Sequence, residues 1–282
     1  MINILTIDVE DWYTSSLALF DAPLTAYGQR PSELVIYNTR KILEILRDCN
    51  CKATFFVLAT VAEHYPYLVK EIHNEGHEIA THGYSHKLVY QMTPIEFEED
   101  LLKSVDLIEN IINEKVIGYR APYFSIVKKS LWALDILIKH GIKYDASIFP
   151  IKRYLYGIPD FSRFISVVKS KEKYHFREVP PSSVRIFNRN FPIGGGGYFR
   201  ILPYWFIKWG IKKLNKNGHP AVIYMHPYEI DPEDIKMPYK SLSRKIRLTL
   251  FTQRIGRNKY IYKANKLFRD FRFNSIKENL KL

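Results

Sequence analysis

Cysteine is almost missing from this 282-residue chain, and the two that occur, Cys49 and Cys51, stand too close together for an ordinary loop-closing disulfide. No histidine or further cysteine lies beside them at a zinc-finger spacing, so neither a disulfide framework nor a structural zinc module holds the fold. Long apolar runs are missing too, since none approaches the ~20 residues needed to cross a bilayer. The first residues carry no basic leader and no small-residue cleavage site, and acids arrive by Asp8. No secretory signal is read there, and a cytoplasmic site of action is expected. The run Gly194 to Gly197 lacks the Lys and following Ser or Thr of a phosphate-binding loop, and no GxGxxG follows the first strand, which argues against nucleotide binding. Glycines there suit close backbone approach or a sharp bend.

Acids are scarce at one end only. Residues 1–120 hold eighteen acids against ten bases, whereas residues 236–282 hold two against fourteen, so the formal charge of +13 belongs to the tail. Such a segment suits anionic lipid headgroups or a phosphorylated glycan carrier, with nucleic acid a weaker match, or it is simply a solvated helix face. What remains is an ordinary globular composition, 46% apolar and 25% charged, long enough for one large α/β domain.

Ile2, Ile4, Leu5 and Ile7 read as a buried strand that ends at Asp8, Glu10 and Asp11. Helical and strand patterns then alternate: a helix through Leu46, strand 53–57, helix 66–74, strand 77–80, helix 94–112, strand 116–119, a helix through His140 and strand 143–146. Residues 150–200 break the rhythm and read as a long surface excursion before a last helix, 204–215, and strand, 221–225. Alternation of this kind requires crossovers between parallel strands, hence an α/β barrel or distorted barrel over residues 1–235, with residues 236–282 as a basic helical extension packed on or next to it.

Polar residues fall at the strand ends, where ligands and catalysts of parallel α/β folds gather. His82 and His86 in THGYSH are four apart, a spacing that on a helical turn lets both imidazoles reach one metal ion. A carboxylate from the first strand would complete a three-ligand site with a position left for water. Strand alternation puts Asp8 and Glu10 on one face and turns Asp11 away, so Glu10 is preferred to Asp11 as the ligand, and Asp8 becomes the base that deprotonates water. Arg120 in GYRAPY follows an apolar strand and needs an anion, for which Asp8 is the natural partner. The turn set by Pro122 would aim the Tyr123 backbone N–H at an oxyanion. His226 in YMHPYE ends the last strand as a candidate proton donor to a leaving amine, with Asp145 as a possible orienting carboxylate.

These residues carry a resemblance. TIDVED, THGYSH, RAPY, DASIFP and YMH occur in the order of the five motifs of the NodB-homology polysaccharide deacetylases, carbohydrate esterase family 4. With FPIGGGGYFR and the basic end, the chain is similar to the subfamily associated with exopolysaccharide and exosortase loci. The resemblance implies a distorted (β/α) barrel of about seven parallel strands and a divalent metal, expected to be zinc. It implies removal of N-acetyl groups from amino sugars of a polysaccharide or lipid-linked oligosaccharide, while the basic tail suggests peripheral contact with an anionic membrane and a nucleic acid partner is not expected. Many members place the metal-binding Asp directly after the base, where this chain has Val9, while an Asp-x-Asp arrangement would align Glu10 with the ligand. Rival readings are hydrolysis of another C–N bond, in a sugar formamide or a cyclic imide, and a non-catalytic glycan-binding scaffold.

Overall fold

Every second residue of Ile2–Val9, strand β1, packs on an outer apolar layer (Leu5, Ile7, Val9), while Ile4 turns to an inner cluster with Phe56. This period of two places Asp8 on the inner side. The computed structural model describes residues 1–12, 31–168, 175–232, 248 and 251–282 of the chain. Further strands are β2 (Thr54–Val57), β3 (Glu78–Thr81), β4 (Gly118–Tyr119), β5 (Tyr144–Asp145), β6 (Ser166–Val167), β7 (Arg177–Glu178), β8 (Ser183–Ile186), β9 (Arg189–Pro192), β10 (Val222–Met225) and β11 (Arg272–Asn274).

Among the described residues these form a nine-stranded sheet in the order β10-β1-β2-β3-β4-β5-β7-β6, with β11 also on β1, and a separate β8–β9 hairpin. Every ladder from β10 through β7 is parallel, and only β6 pairs antiparallel. The sheet is curled and parallel-dominated, with helices outside. Helices Leu34–Asp48, Pro66–Asn74 and Tyr204–Lys216 bury Leu43, Leu68 and Ile207, among others, against its outer face. Helix Pro94–Ile112 is started by a full capping box between Thr93 and Glu96. Among the described residues, no helix is long and apolar enough to cross a membrane.

Two segments differ from the expectation. Residues 150–200 are not only a surface excursion: β7 extends the sheet and buries Glu178 against Asp145, and the hairpin and helix Gly196–Ile201 follow. The end of the chain is helical in Tyr260–Asp270 and Ile276–Leu280, yet between them β11 pairs Ile2–Ile4 on β1, while β2 pairs Thr6–Val9. Buried Phe273 and Ile276 and the bond from Ile276 N to Thr54 Oγ1 (2.8 Å) make this end part of the core.

Candidate active site

The parallel register lines up the carboxyl ends of the strands. Ile7 pairs Met225 and Thr81 pairs Tyr119, so Asp8 and His226 on one side and His82 on the other, just beyond those pairs, open onto one cavity of about 330 Å³. At the end of β1 the Glu10 N–H turns back to the Asp8 carbonyl, 3.1 Å, and the Glu10 side chain enters that cavity.

His82 and His86 converge without a helix. Residues 82–88 form a loop: Gly83 takes φ +75°, its N–H donates to Thr81 Oγ1, and His86 sits at φ +55°. Asp100 gathers the loop by accepting from the Tyr84 N–H (2.7 Å) and the Ser85 N–H (3.0 Å). A left-handed conformation at a non-glycine residue is costly and persists only where its surroundings enforce it. Here the result is imidazole centroids 5.5 Å apart, facing Glu10.

Glu10 Oε2 lies 2.6 Å from His86 Nε2 and 3.6 Å from His82 Nε2, all three side chains buried. The ligand atoms of the three fall within 4.8 Å of one another. His82 Nδ1 donates to the Arg120 carbonyl at 2.8 Å, which leaves the Nε2 lone pair of a neutral ring pointing at the cluster. Glu10 Oε2 has no aligned hydrogen-bond donor in spite of its burial. Lone pairs aimed at one point with an orphaned buried oxygen fit a divalent ion better than a hydrogen-bonded triad. Burial works against the charge of Glu10, but the adjacent His86, His82 and His226 outweigh it and hold the carboxyl well below its usual range. Asp11 does not join the cluster: its Oδ2 accepts from the Ser32 N–H at 2.6 Å.

Arg120, fully buried, donates through Nη1 to Asp8 Oδ1 (2.6 Å) and Thr6 Oγ1 (2.8 Å), and through Nε to the Ala146 carbonyl (3.1 Å). The second Asp8 oxygen stands 3.7 Å from His226 Nε2, which is also 3.6 Å from Glu10 Oε1. Tyr123 lies on the cavity wall at φ +54°, its ring 5.5 Å from that of His86.

Asp145, offered by the sequence as the partner of His226, is engaged elsewhere. Its carboxylate accepts from Ser147, whose Oγ accepts from the Ala121 N–H at 2.7 Å, and it lies opposite buried Glu178 in the β5–β7 register. Burial pushes both acids up, Asp145 to about 6 and Glu178 well above the ordinary carboxyl range. The partner of His226 is Glu229, which sequence reasoning missed: its Oε2 is 3.1 Å from His226 Nδ1. Arg200 Nε (2.8 Å) and Tyr260 Oη (3.2 Å) donate to the same carboxylate. Burial opposes the charge of Glu229, but His226, Arg200 and Arg257 prevail and lower it to about 2. Burial likewise works against protonated His226, and the Glu229, Glu10 and Asp8 carboxylates reverse that and raise it. The one available signal was a Glu three residues after His226 across Pro227, the spacing of a capping box.

Residues 35–144 match the polysaccharide deacetylase family model, and residues 146–281 match a domain of unknown function, DUF3473. A peptidoglycan-N-acetylglucosamine deacetylase of Bacillus cereus is 37% identical over 98 residues, 34% of this chain and 36% of that protein. The chain spans about a third of the length of the curated relatives it matches. A solved Mycobacterium smegmatis structure described as a polysaccharide deacetylase covers 99% of this chain and 90% of its own, with TM-score 0.62 and 18% identity. An allantoinase structure covers 98% and 87%, with TM-score 0.59 and 15% identity. The structural likenesses establish the fold.

Proposed function

We propose, from the premise that this chain belongs to the polysaccharide deacetylase family of the NodB-homology type, that it removes N-acetyl groups from amino sugars of a polysaccharide or a lipid-linked glycan precursor. The observation that carries the reading is the convergence of Glu10, His82 and His86 beside Asp8 and His226. A divalent ion held by those three ligands, zinc by the donor set, would supply Lewis acidity and lower the pKa of water toward neutrality. Asp8, gripped by Arg120, is placed to accept the proton of the attacking water. His226, anchored through Nδ1 by Glu229, presents Nε2 to the same space and is placed to protonate the departing amine. We assign the Tyr123 backbone N–H to the developing oxyanion. Asp145 acts at a distance, holding Ser147 and through it the Ala121 N–H of the same loop.

The cavity wall beyond this cluster, with Tyr156, Tyr198 and Tyr228, lies in the segment matched by the second family model. Substrate choice is therefore assigned to residues 146–281, and the reacting centre to the strand ends. A role in exopolysaccharide synthesis belongs to the same proposal and rests on the resemblance of FPIGGGGYFR and the basic end. Because the fold fixes the reacting centre but not the pocket, hydrolysis of another C–N bond, in a sugar formamide or a cyclic imide, is the second reading.

The test is acetate release, matched mole for mole by new primary amine, from N-acetylglucosamine oligomers and peptidoglycan fragments with metal supplied. Release that disappears in His226→Ala supports the proposal. Formate release from a sugar formamide or ring opening of a cyclic imide, without acetate, moves the protein to the second reading, and glycan binding with none of these reactions makes it a scaffold.

A further inference from the structure

Helix Tyr204–Lys216 leaves Trp205 (69% exposed) and Trp209 (40%) in solvent, four residues apart and so on one helical face. Ile201 (60%) precedes them, and Phe251 (63%) and Tyr262 (62%) stand on the C-terminal segment. That segment is fastened to the same region. Arg200 binds the carbonyls of Gln253 (2.6 Å) and Ile255 (3.1 Å), and Tyr204 Oη donates to the Lys266 carbonyl (3.0 Å). Large exposed rings gathered on adjoining elements mark an interaction surface, whereas single exposed apolar residues do not.

The charge around these rings is mostly positive, the acid Asp270 at the end of helix Tyr260–Asp270 being paired with Lys208 at 2.8 Å. Residues 201–216 and 251–270 hold a single acid, Asp270, while Lys212, Lys213, Arg254, Lys259, Lys266 and Arg269 are exposed. Lys213 Nζ lies 5.0 Å from the Trp209 ring and Lys266 Nζ 4.6 Å from the Tyr262 ring, so cations border the aromatics directly. Trp and Tyr favour the headgroup level of a bilayer, and Lys and Arg beside them are drawn to anionic lipid. A protein partner would need acids to complement this face as well as a groove for the rings, whereas an anionic bilayer surface offers both at once.

We propose that the Trp205–Trp209 helix face, with Phe251 and Tyr262, docks the protein on an anionic lipid surface. The membrane contact expected of the basic tail thus becomes a built surface shared by two segments. Ile201 and Gln253 also line the active-site cavity, so docking sets its mouth against the bilayer, where a lipid-anchored glycan would be presented. That last step rests on the deacetylase reading. The docking does not.

The test is sedimentation of the full chain with vesicles of phosphatidylcholine alone and of phosphatidylcholine mixed with phosphatidylglycerol. The wild type is expected to bind the mixed vesicles, to release them as salt rises, and to bind neutral vesicles weakly. Trp205→Ser with Trp209→Ser should weaken binding roughly tenfold or more, as expected for two large side chains left in water. Lys212→Glu with Lys213→Glu should weaken it without touching the rings, and Lys128→Glu, elsewhere on the surface, should not. If the tryptophan variant misfolds by circular dichroism, quenching of wild-type tryptophan fluorescence by brominated phosphatidylglycerol decides instead. Absence of wild-type binding, indifference to both double substitutions, or a tryptophan-dependent dimer in gel filtration would each overturn the proposal, the last by showing that a second copy covers this face.

Discussion

At the residue scale, the site depends on groups that act through others. Glu229 touches His226 Nδ1 and is braced by Arg200 and Tyr260. Glu229→Gln keeps the shape but removes the charge that favours protonated His226. It should lower kcat by about 10–100-fold, with KM and metal content close to wild type, which steady-state kinetics and elemental analysis together check. Glu229→Ala would instead leave the buried Arg200 without its anion and cost stability, roughly 3–5 kcal/mol. Strand alternation read in the sequence favoured Glu10 over Asp11 only slightly, because Glu10 lies beyond β1, where its N–H turns back to the Asp8 carbonyl. It could not find Glu229, since nothing in YMHPYE says that the cation bracing that Glu comes from Arg200. Nor could it show that Asp145 is drawn to Glu178, a partner on a strand that lay inside an irregular stretch.

At the element scale, the alternation of helices and strands was legible because each period buries one face, and six of the parallel strands were read from it. The spacing of His82 and His86 suggested a helical turn, but Gly83 and Asp100 build a loop with the same outcome. Strand β11 escaped because three residues within a basic stretch carry no periodic signal. The β8–β9 hairpin escaped for a different reason. Its turn residues, Phe187 (φ +44°) and Asn188 (φ +60°), both adopt the left-handed region that Asn-Gly ordinarily signals. Phe187 is almost wholly exposed, so its strain is not offset by burial. Phe187→Asn with Asn188→Gly should stabilise the protein by about 1 kcal/mol. A rise in the midpoint of thermal unfolding of a few degrees would agree, and an unchanged or lower midpoint would show that the turn is not strained.

At the scale of the whole molecule, the two ends of the chain are one structure. Strand β11 lies on β1, Ile276 N–H donates to Thr54 Oγ1, and Lys277 N–H donates to half-buried Glu78 at 2.9 Å. The tail is therefore not a removable basic appendage. Deleting residues 271–282 removes Phe273 and Ile276, about 3–6 kcal/mol of apolar burial, from a total stability of order 5–15 kcal/mol. The shortened chain should be recovered as aggregate or melt far lower than the full one. A soluble product with the full-length melting curve would show that β11 adds nothing.

All of this turns on a cation held by Glu10, His82 and His86. Elemental analysis of the purified wild type, Glu10→Gln and Asp11→Asn tests it most directly. A single divalent ion per chain is expected in the wild type and in Asp11→Asn, where the Ser32 contact can persist, and little or none in Glu10→Gln. Metal kept by Glu10→Gln and lost by Asp11→Asn would place the ligand on the other carboxylate, and a metal-free wild type under loading conditions would contradict the site itself.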